Sequence, residues 1–151
     1  MPLRTPDQFM QEGSRVFHRA APNKDSAVGW LRISERFMKD AVNTVISPDL
    51  RLIAAYQAML NFAFVVVSAQ GYRVTAADGH HVQTLEAACA LIGASTGLSD
   101  RIDAIRDVRN DNYAGIECTV SDVASALKAL NEFTPLCAQW LATRHPTFLK
   151  T

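Results

Sequence analysis

From Ser47 to Gln70 the chain reads SPDLRLIAAYQAMLNFAFVVVSAQ, with few polar side chains after Arg51. A run this long is not a strand. It predicts a helix buried around most of its circumference, with the rest of the chain organised round it. Ser47 suits the N-cap, and Pro48 suits a first turn where a missing N–H costs nothing. Asp49 favours the positive end of the helix dipole, and Gly71 supplies the stop. Gln57, Asn61 and Ser68 interrupt the apolar run at i, i+4 and i+11, on roughly one face. With Tyr56 they give the central helix a polar stripe. Such a stripe needs hydrogen-bond partners, from a neighbouring helix, a cleft or a dimer seam. The segment is long enough for a membrane span. However, Tyr56, Gln57 and Asn61 sit in its middle and no second span accompanies it, so no membrane contact is expected.

At 151 residues the chain is one domain by length, with enough material for a core. Its 48% hydrophobic content excludes a disordered chain. Lys and Arg total 15 against 15 Asp and Glu, so a global basic footprint for nucleic acid is absent and only a local patch stays open. The first residues, MPLRTPDQFMQEG, carry no apolar core of a signal peptide. Cys89, Cys118 and Cys137 are odd in number and too far apart for a metal knuckle. They read as reduced, buried thiols of a cytoplasmic protein.

The flanking segments supply helical partners. Residues 1–23 form an amphipathic arm in which Phe9, Met10, Val16 and Phe17 pack, with Thr5 or Asp7 near the start of a short helix and Pro22-Asn23 at its end. This arm carries the densest basic cluster, Arg15, His18, Arg19 and Lys24, whose plain reading is a solvated face. A helix capped by Asp25 or Ser26 then runs to about Ile46, with Val28, Leu31, Phe37, Met38, Ala41, Val42 and Val45 as its stripe. The short link to the central helix predicts an antiparallel hairpin. Beyond the polar loop from Tyr72 to His81, helices are expected over Val82–Ile92, from Ser99 or Asp100 to Gly115, and from Ser121-Asp122 onward. Pro135 should kink or split the last of these. No stretch shows the period-2 alternation of a half-buried strand. The expected fold is all-α: an up-and-down bundle of four to five helices over 24–146, the short helical arm 1–23, and a tail 147–151.

The segment from Ile102 to Ile116 is the most informative for chemistry. Its inward stripe runs Leu98, Ile102, Ile105 and then Arg109, Asn112, Ile116, so an apolar row leads into polar residues on the same face. Tyr113 stands one turn beyond Arg109. An arginine turned inward needs a carboxylate, a cage of carbonyls or an anionic ligand, because an unpaired buried charge is costly. A planar guanidinium suits a structural ion pair and a phosphate equally. His80 and His81 are adjacent in a loop, but two ligands without a Cys or carboxylate cluster do not make a metal site. No glycine-rich phosphate loop, dinucleotide fingerprint or nucleophile motif is present, and no cofactor is expected.

The hairpin WLRISERFMKDA followed by AAYQAMLNFAFVVVSAQGYR resembles the two leading helices of the HEPN superfamily (higher eukaryotes and prokaryotes nucleotide-binding domain). Ala55, Tyr56, Ala58 and Gly71-Tyr72 match the Ala-Tyr-x-Ala helix with its Gly-Tyr turn. Gly79-His80-His81 and RDVRNDNYAG are also similar to that pattern. The resemblance spans roughly residues 28–141. Ribonuclease members carry an Arg-x(4–6)-His motif on the late helix. Its arginine corresponds to Arg109, and Asn110 to the polar residue that follows. The histidine has no counterpart, since Ala114, Gly115 and Ile116 stand where it would be. The sequence is instead similar to the branch ending in Arg…Tyr-Gly, with Tyr113 in the tyrosine's place.

The resemblance implies a homodimer with the Arg109 segments near its two-fold seam. It also implies a nucleotide or RNA ligand, and a partner of the nucleotidyltransferase or toxin–antitoxin type. Three readings follow. The first is a non-catalytic binding module in which Arg109, Asn110, Asn112 and Tyr113 hold a phosphate. The second is a metal-independent endoribonuclease that pairs Arg109 with His80 or His81. The third is a purely structural dimeric bundle with Arg109 satisfied by Asp107, Asp111 or a partner-chain carboxylate.

Overall fold

The computed structural model describes residues 2–149. Residues 1, 150 and 151, at the ends of the expected arm and tail, lie outside the described residues. In chain order it holds α1 (Pro6–Gln11), β1 (Phe17–Arg19), α2 (Lys24–Val42), α3 (Pro48–Ala69), β2 (Tyr72–Val74), α4 (His80–Ile92), α5 (Thr96–Tyr113), α6 (Val120–Arg144) and a 3-10 turn, Pro146–Phe148. The architecture is an all-α helical bundle with one small sheet.

The axis of the bundle is α3. The Ser47 side chain accepts from the Leu50 N–H, Pro48 fills the first turn, and the chain leaves through Gly71 at φ +99°. That left-handed conformation is open to glycine at no steric cost. α2, α4, α5 and α6 all pack on α3. Leu52, Tyr56, Met59, Leu60, Val65 and Val66 are fully buried. Each side chain of this size is worth about 1.5–3 kcal/mol on leaving water, so α3 dominates the driving force for folding. It is long and apolar enough to cross a membrane, and most of it is buried in the bundle.

α2 and α3 form the expected antiparallel hairpin. The Ser34 hydroxyl donates to the Ala58 carbonyl at 3.3 Å, and Arg51 Nε donates to the Ala41 carbonyl at 2.9 Å. The second bond satisfies a carbonyl that the end of α2 leaves open. α2 stops at Val42, a turn before the expected Ile46, and Val42 and Val45 are exposed instead of joining the apolar stripe. Asn43 ends the helix by accepting from the Val45 N–H at 3.0 Å.

Four helices begin earlier than expected, each for a local reason. Asn23 caps α2 in place of Asp25 or Ser26. α4 starts at His80 and not Val82, on the left-handed Gly79. Ser95 caps α5, a turn ahead of Ser99. Thr119 and Asp122 form a capping box that starts α6 at Val120. In three of these a side-chain oxygen upstream of the apolar stripe captures a first-turn N–H, and the helix grows back to it.

α6 runs through Pro135 as one helix, so of the two expected effects, a kink or a split, the split does not occur. The proline is on the exposed face beside exposed Asn131, so the carbonyl that loses its N–H partner is on the wet side. Behind it the Thr134 hydroxyl donates to the Leu130 carbonyl at 2.9 Å. The absence of strands also fails. β1 and β2 pair antiparallel with Phe17 opposite Val74, His18 opposite Arg73 and Arg19 opposite Tyr72. The sheet clamps the N-terminal segment onto the bundle, and Phe9, Val16 and Phe17 enter the main core. The Tyr72 hydroxyl donates to Asp7 Oδ1 at 2.6 Å, tying β2 to α1.

Candidate anion site

α5 lies along α3 with Leu98, Ile102 and Ile105 buried, and one turn further the stripe delivers Arg109, half-buried. The guanidinium carbon stands 4.4 Å from the centroid of the Tyr56 ring and 5.2 Å from that of Tyr113. Both separations are within cation–π range. One Nη–H donates to Asn110 Oδ1 at 3.2 Å. Arg109 Nε is buried with no hydrogen-bond partner among the described residues. Among the described residues no carboxylate pairs with Arg109, while its neighbour Arg106 pairs with Asp103 at 3.0 Å and Asp107 at 3.4 Å.

Tyr56 is the second half of the site. It is 0% exposed, and its hydroxyl has no partner among the described residues. Burial pushes the phenol up to about 12, although Arg109 and Arg106 pull the other way, so it stays a neutral O–H donor. Two buried donors, Tyr56 Oη and Arg109 Nε, are therefore unspent on residues in van der Waals contact. Buried polar groups are rarely left this way, because each costs about 1–3 kcal/mol unsatisfied.

The two histidines divide between neighbouring environments. Their rings meet edge to face with centroids 4.1 Å apart. His80 Nδ1–H donates to the Ala77 carbonyl at 3.1 Å, which fixes its tautomer. His81 is lowered to about 4, first by burial and then by His80, Arg109 and Arg106. It thus sits within the field of the arginine pair and is neutral at pH 7.

That shift has a pH signature. Unfolded His81 takes up its proton near the ordinary 6.5, and the folded side chain only near 4. Its contribution to stability is complete above pH 6.5, falls as pH drops toward 4, and then levels off. The side chain is only partly buried, so solvent screening reduces the loss to about 1–2 kcal/mol. Chemical denaturation at pH 7 and pH 4.5 should show that loss in wild type and a smaller one in His81→Gln. An equal loss in both would place the acid sensitivity elsewhere.

Other expected site residues serve different ends. Asn112 turns away from Arg109: its Nδ2 donates to Asp49 Oδ1 at 2.7 Å, which also accepts the Cys118 N–H at 2.9 Å. Asp49 is held below its ordinary value chiefly by the Cys118 N–H, and it ties the end of α5 to the start of α3. Gln57 Nε2 donates to Asn61 Oδ1 at 3.0 Å, so that part of the stripe satisfies itself. Ser68 opens instead into a cleft beyond Phe64. In the basic cluster Arg19 pairs with Asp7 at 2.7 Å. All three cysteines are free, and burial raises Cys89 to about 12 and Cys118 to about 11 and also pushes Cys137 well above its ordinary value, which leaves them inert as nucleophiles.

The role of Tyr56 beneath Arg109 is the part of the site that sequence reasoning missed. The signal that carried it is Tyr56 itself, the one tyrosine in a mostly apolar helix, one residue ahead of the polar stripe at Gln57 and Asn61. Comparison with family models, curated proteins and solved structures finds no match to this chain.

Proposed function

We propose that this chain is a HEPN-like binding module of the cytoplasm that takes the phosphate of a nucleotide or RNA on Arg109 and does not cleave it. The observation that carries the reading is the pair of unspent buried donors, Tyr56 Oη and Arg109 Nε, beside a guanidinium with no carboxylate partner among the described residues. A phosphate oxygen accepts from both kinds of donor, and the guanidinium is held beside two aromatic rings, 4.4 Å from the centroid of Tyr56 and 5.2 Å from that of Tyr113. Asn110 fixes the guanidinium from the side, and Tyr113, 67% exposed, is free to stack on a base. Ile116 and Val120 are also exposed beyond the end of α5, and a second copy of the chain in a homodimer would cover this apolar collar. A nucleotidyltransferase or an antitoxin is the class of partner for such a module.

The alternative, a metal-independent endoribonuclease, draws support from His81, which feels the charge of Arg109. A side chain lowered to about 4 is a weak base at neutral pH and carries no proton to donate. Acid–base cleavage works best when that value lies near the working pH, so the position of His81 favours binding over catalysis.

The test is a labelled oligoribonucleotide incubated with the purified protein in EDTA, with Arg109→Ala and a His80→Ala/His81→Ala variant alongside. Expected are no cleavage, salt-dependent binding by a dimeric wild type, and an affinity loss of at least about tenfold in Arg109→Ala. Cleavage that both variants lose would overturn the binding module in favour of the enzyme. Wild-type affinity in Arg109→Ala would leave a purely structural arginine.

A further inference from the structure

Away from Arg109, a cleft of about 500 Å³ opens between the start of α2, the C-terminal half of α3 and the segment from β2 to His80. That volume is in the range of pockets that hold small organic molecules. Trp30 of α2 and Phe64 of α3 stand side by side in its wall, ring centroids 5.5 Å apart and inclined at 36°. Both are only partly buried, although residues around them on α3 are sealed in the core. Ser26 and Ser68 add hydroxyls, and His80 closes the far side.

The charge of the lining is one-sided. Arg73 lines the cleft and makes no ion pair among the described residues, and no Asp or Glu lines it. Its cross-strand neighbour in the sheet is His18, a second group able to carry positive charge. A ligand that fills this space gains apolar contact with two aromatic rings and meets a cation at the edge with no carboxylate to repel it.

We infer that this cleft is a binding site for a small planar aromatic anion, with its ring against Trp30 and Phe64 and its acidic group toward Arg73. The site uses none of the residues that hold Arg109 and does not depend on the reading given to them. Trp30 reports on it directly, and the second tryptophan, Trp140, packs against His145 and is not part of the lining.

The experiment titrates the full chain with 2-naphthoate and, separately, with the neutral 2-naphthalenemethanol. It follows the two indole N–H signals by NMR. The expected result is a saturable shift of the Trp30 signal with naphthoate, a still Trp140 signal, and weaker binding of the alcohol. Arg73→Gln changes an exposed side chain and should weaken naphthoate about threefold while leaving the alcohol unchanged. Ser68→Leu fills the floor and should abolish both. No saturable shift of Trp30 up to the solubility of naphthoate would overturn the site. Equal affinity for acid and alcohol, or an Arg73→Gln variant that binds naphthoate as wild type does, would overturn the anionic ligand class.

Discussion

Tyr56→Ala is expected to lower the unfolding free energy by about 3–5 kcal/mol, and Tyr56→Phe to stay within about 1 kcal/mol of wild type. The ring is fully buried on the axis of the bundle, so its loss leaves a cavity between α3 and α5 and removes the face on which Arg109 rests. The hydroxyl is a separate matter. It has no partner among the described residues, so its removal costs no hydrogen bond there and relieves a desolvated donor. On the proposed phosphate-binding reading, the same Tyr56→Phe variant should also bind an oligoribonucleotide more weakly, because that reading assigns the free donor to the phosphate. Urea denaturation and fluorescence anisotropy read the two effects independently. A Tyr56→Phe variant that lost 2 kcal/mol or more would mean that the hydroxyl is already satisfied, and the reading built on its freedom would fall.

The fold was legible where a single physical signal was strong. The α3 segment declared itself by an apolar run bounded by Ser47, Pro48 and Gly71, and its bounds hold to within a residue. The α2–α3 hairpin followed from the short link between them. Helix starts were less legible. An N-cap is one side chain, and Asn23, Ser95 and Thr119 each had a plausible competitor within a few residues. The strands left no trace. Three residues are too few for alternation to register, and β1 and β2 pair across the whole of α2 and α3, so the pairing is a product of tertiary packing.

The site was legible in one half. A helical stripe that passes from Ile105 to Arg109 says that a charge is turned inward, and the structure places it there. What lies opposite depends on how α5 rotates against α3, which the sequence of α5 alone does not encode. The sequence groups Tyr56 with Gln57 and Asn61, yet one residue along a helix is a turn of about 100°, enough to send Tyr56 to α5 while Gln57 and Asn61 bond to each other. Asn112 shows the reverse error. Its spacing from Arg109 is correct for one face, but the helix ends just beyond it, and the side chain is drawn into the Asp49 cap of the bundle.

The other large effect lies across α3. Phe133 on α6 is 0% exposed in the main core, in the turn that carries Thr134 and Pro135. Phe133→Ala is expected to cost about 3–5 kcal/mol, and Phe133→Leu about 1–1.5 kcal/mol because most of the volume is kept. Position on the helix decides this. Pro135 has already removed one backbone bond from the segment, so the side chain facing α3 is what fixes it to the bundle. Denaturation with an unchanged slope and a lowered midpoint is the expected outcome. A loss below about 1.5 kcal/mol in Phe133→Ala would mean that the loosened turn closes over the space. The measured cost would then report the compliance of α6 at its proline, not the worth of the ring.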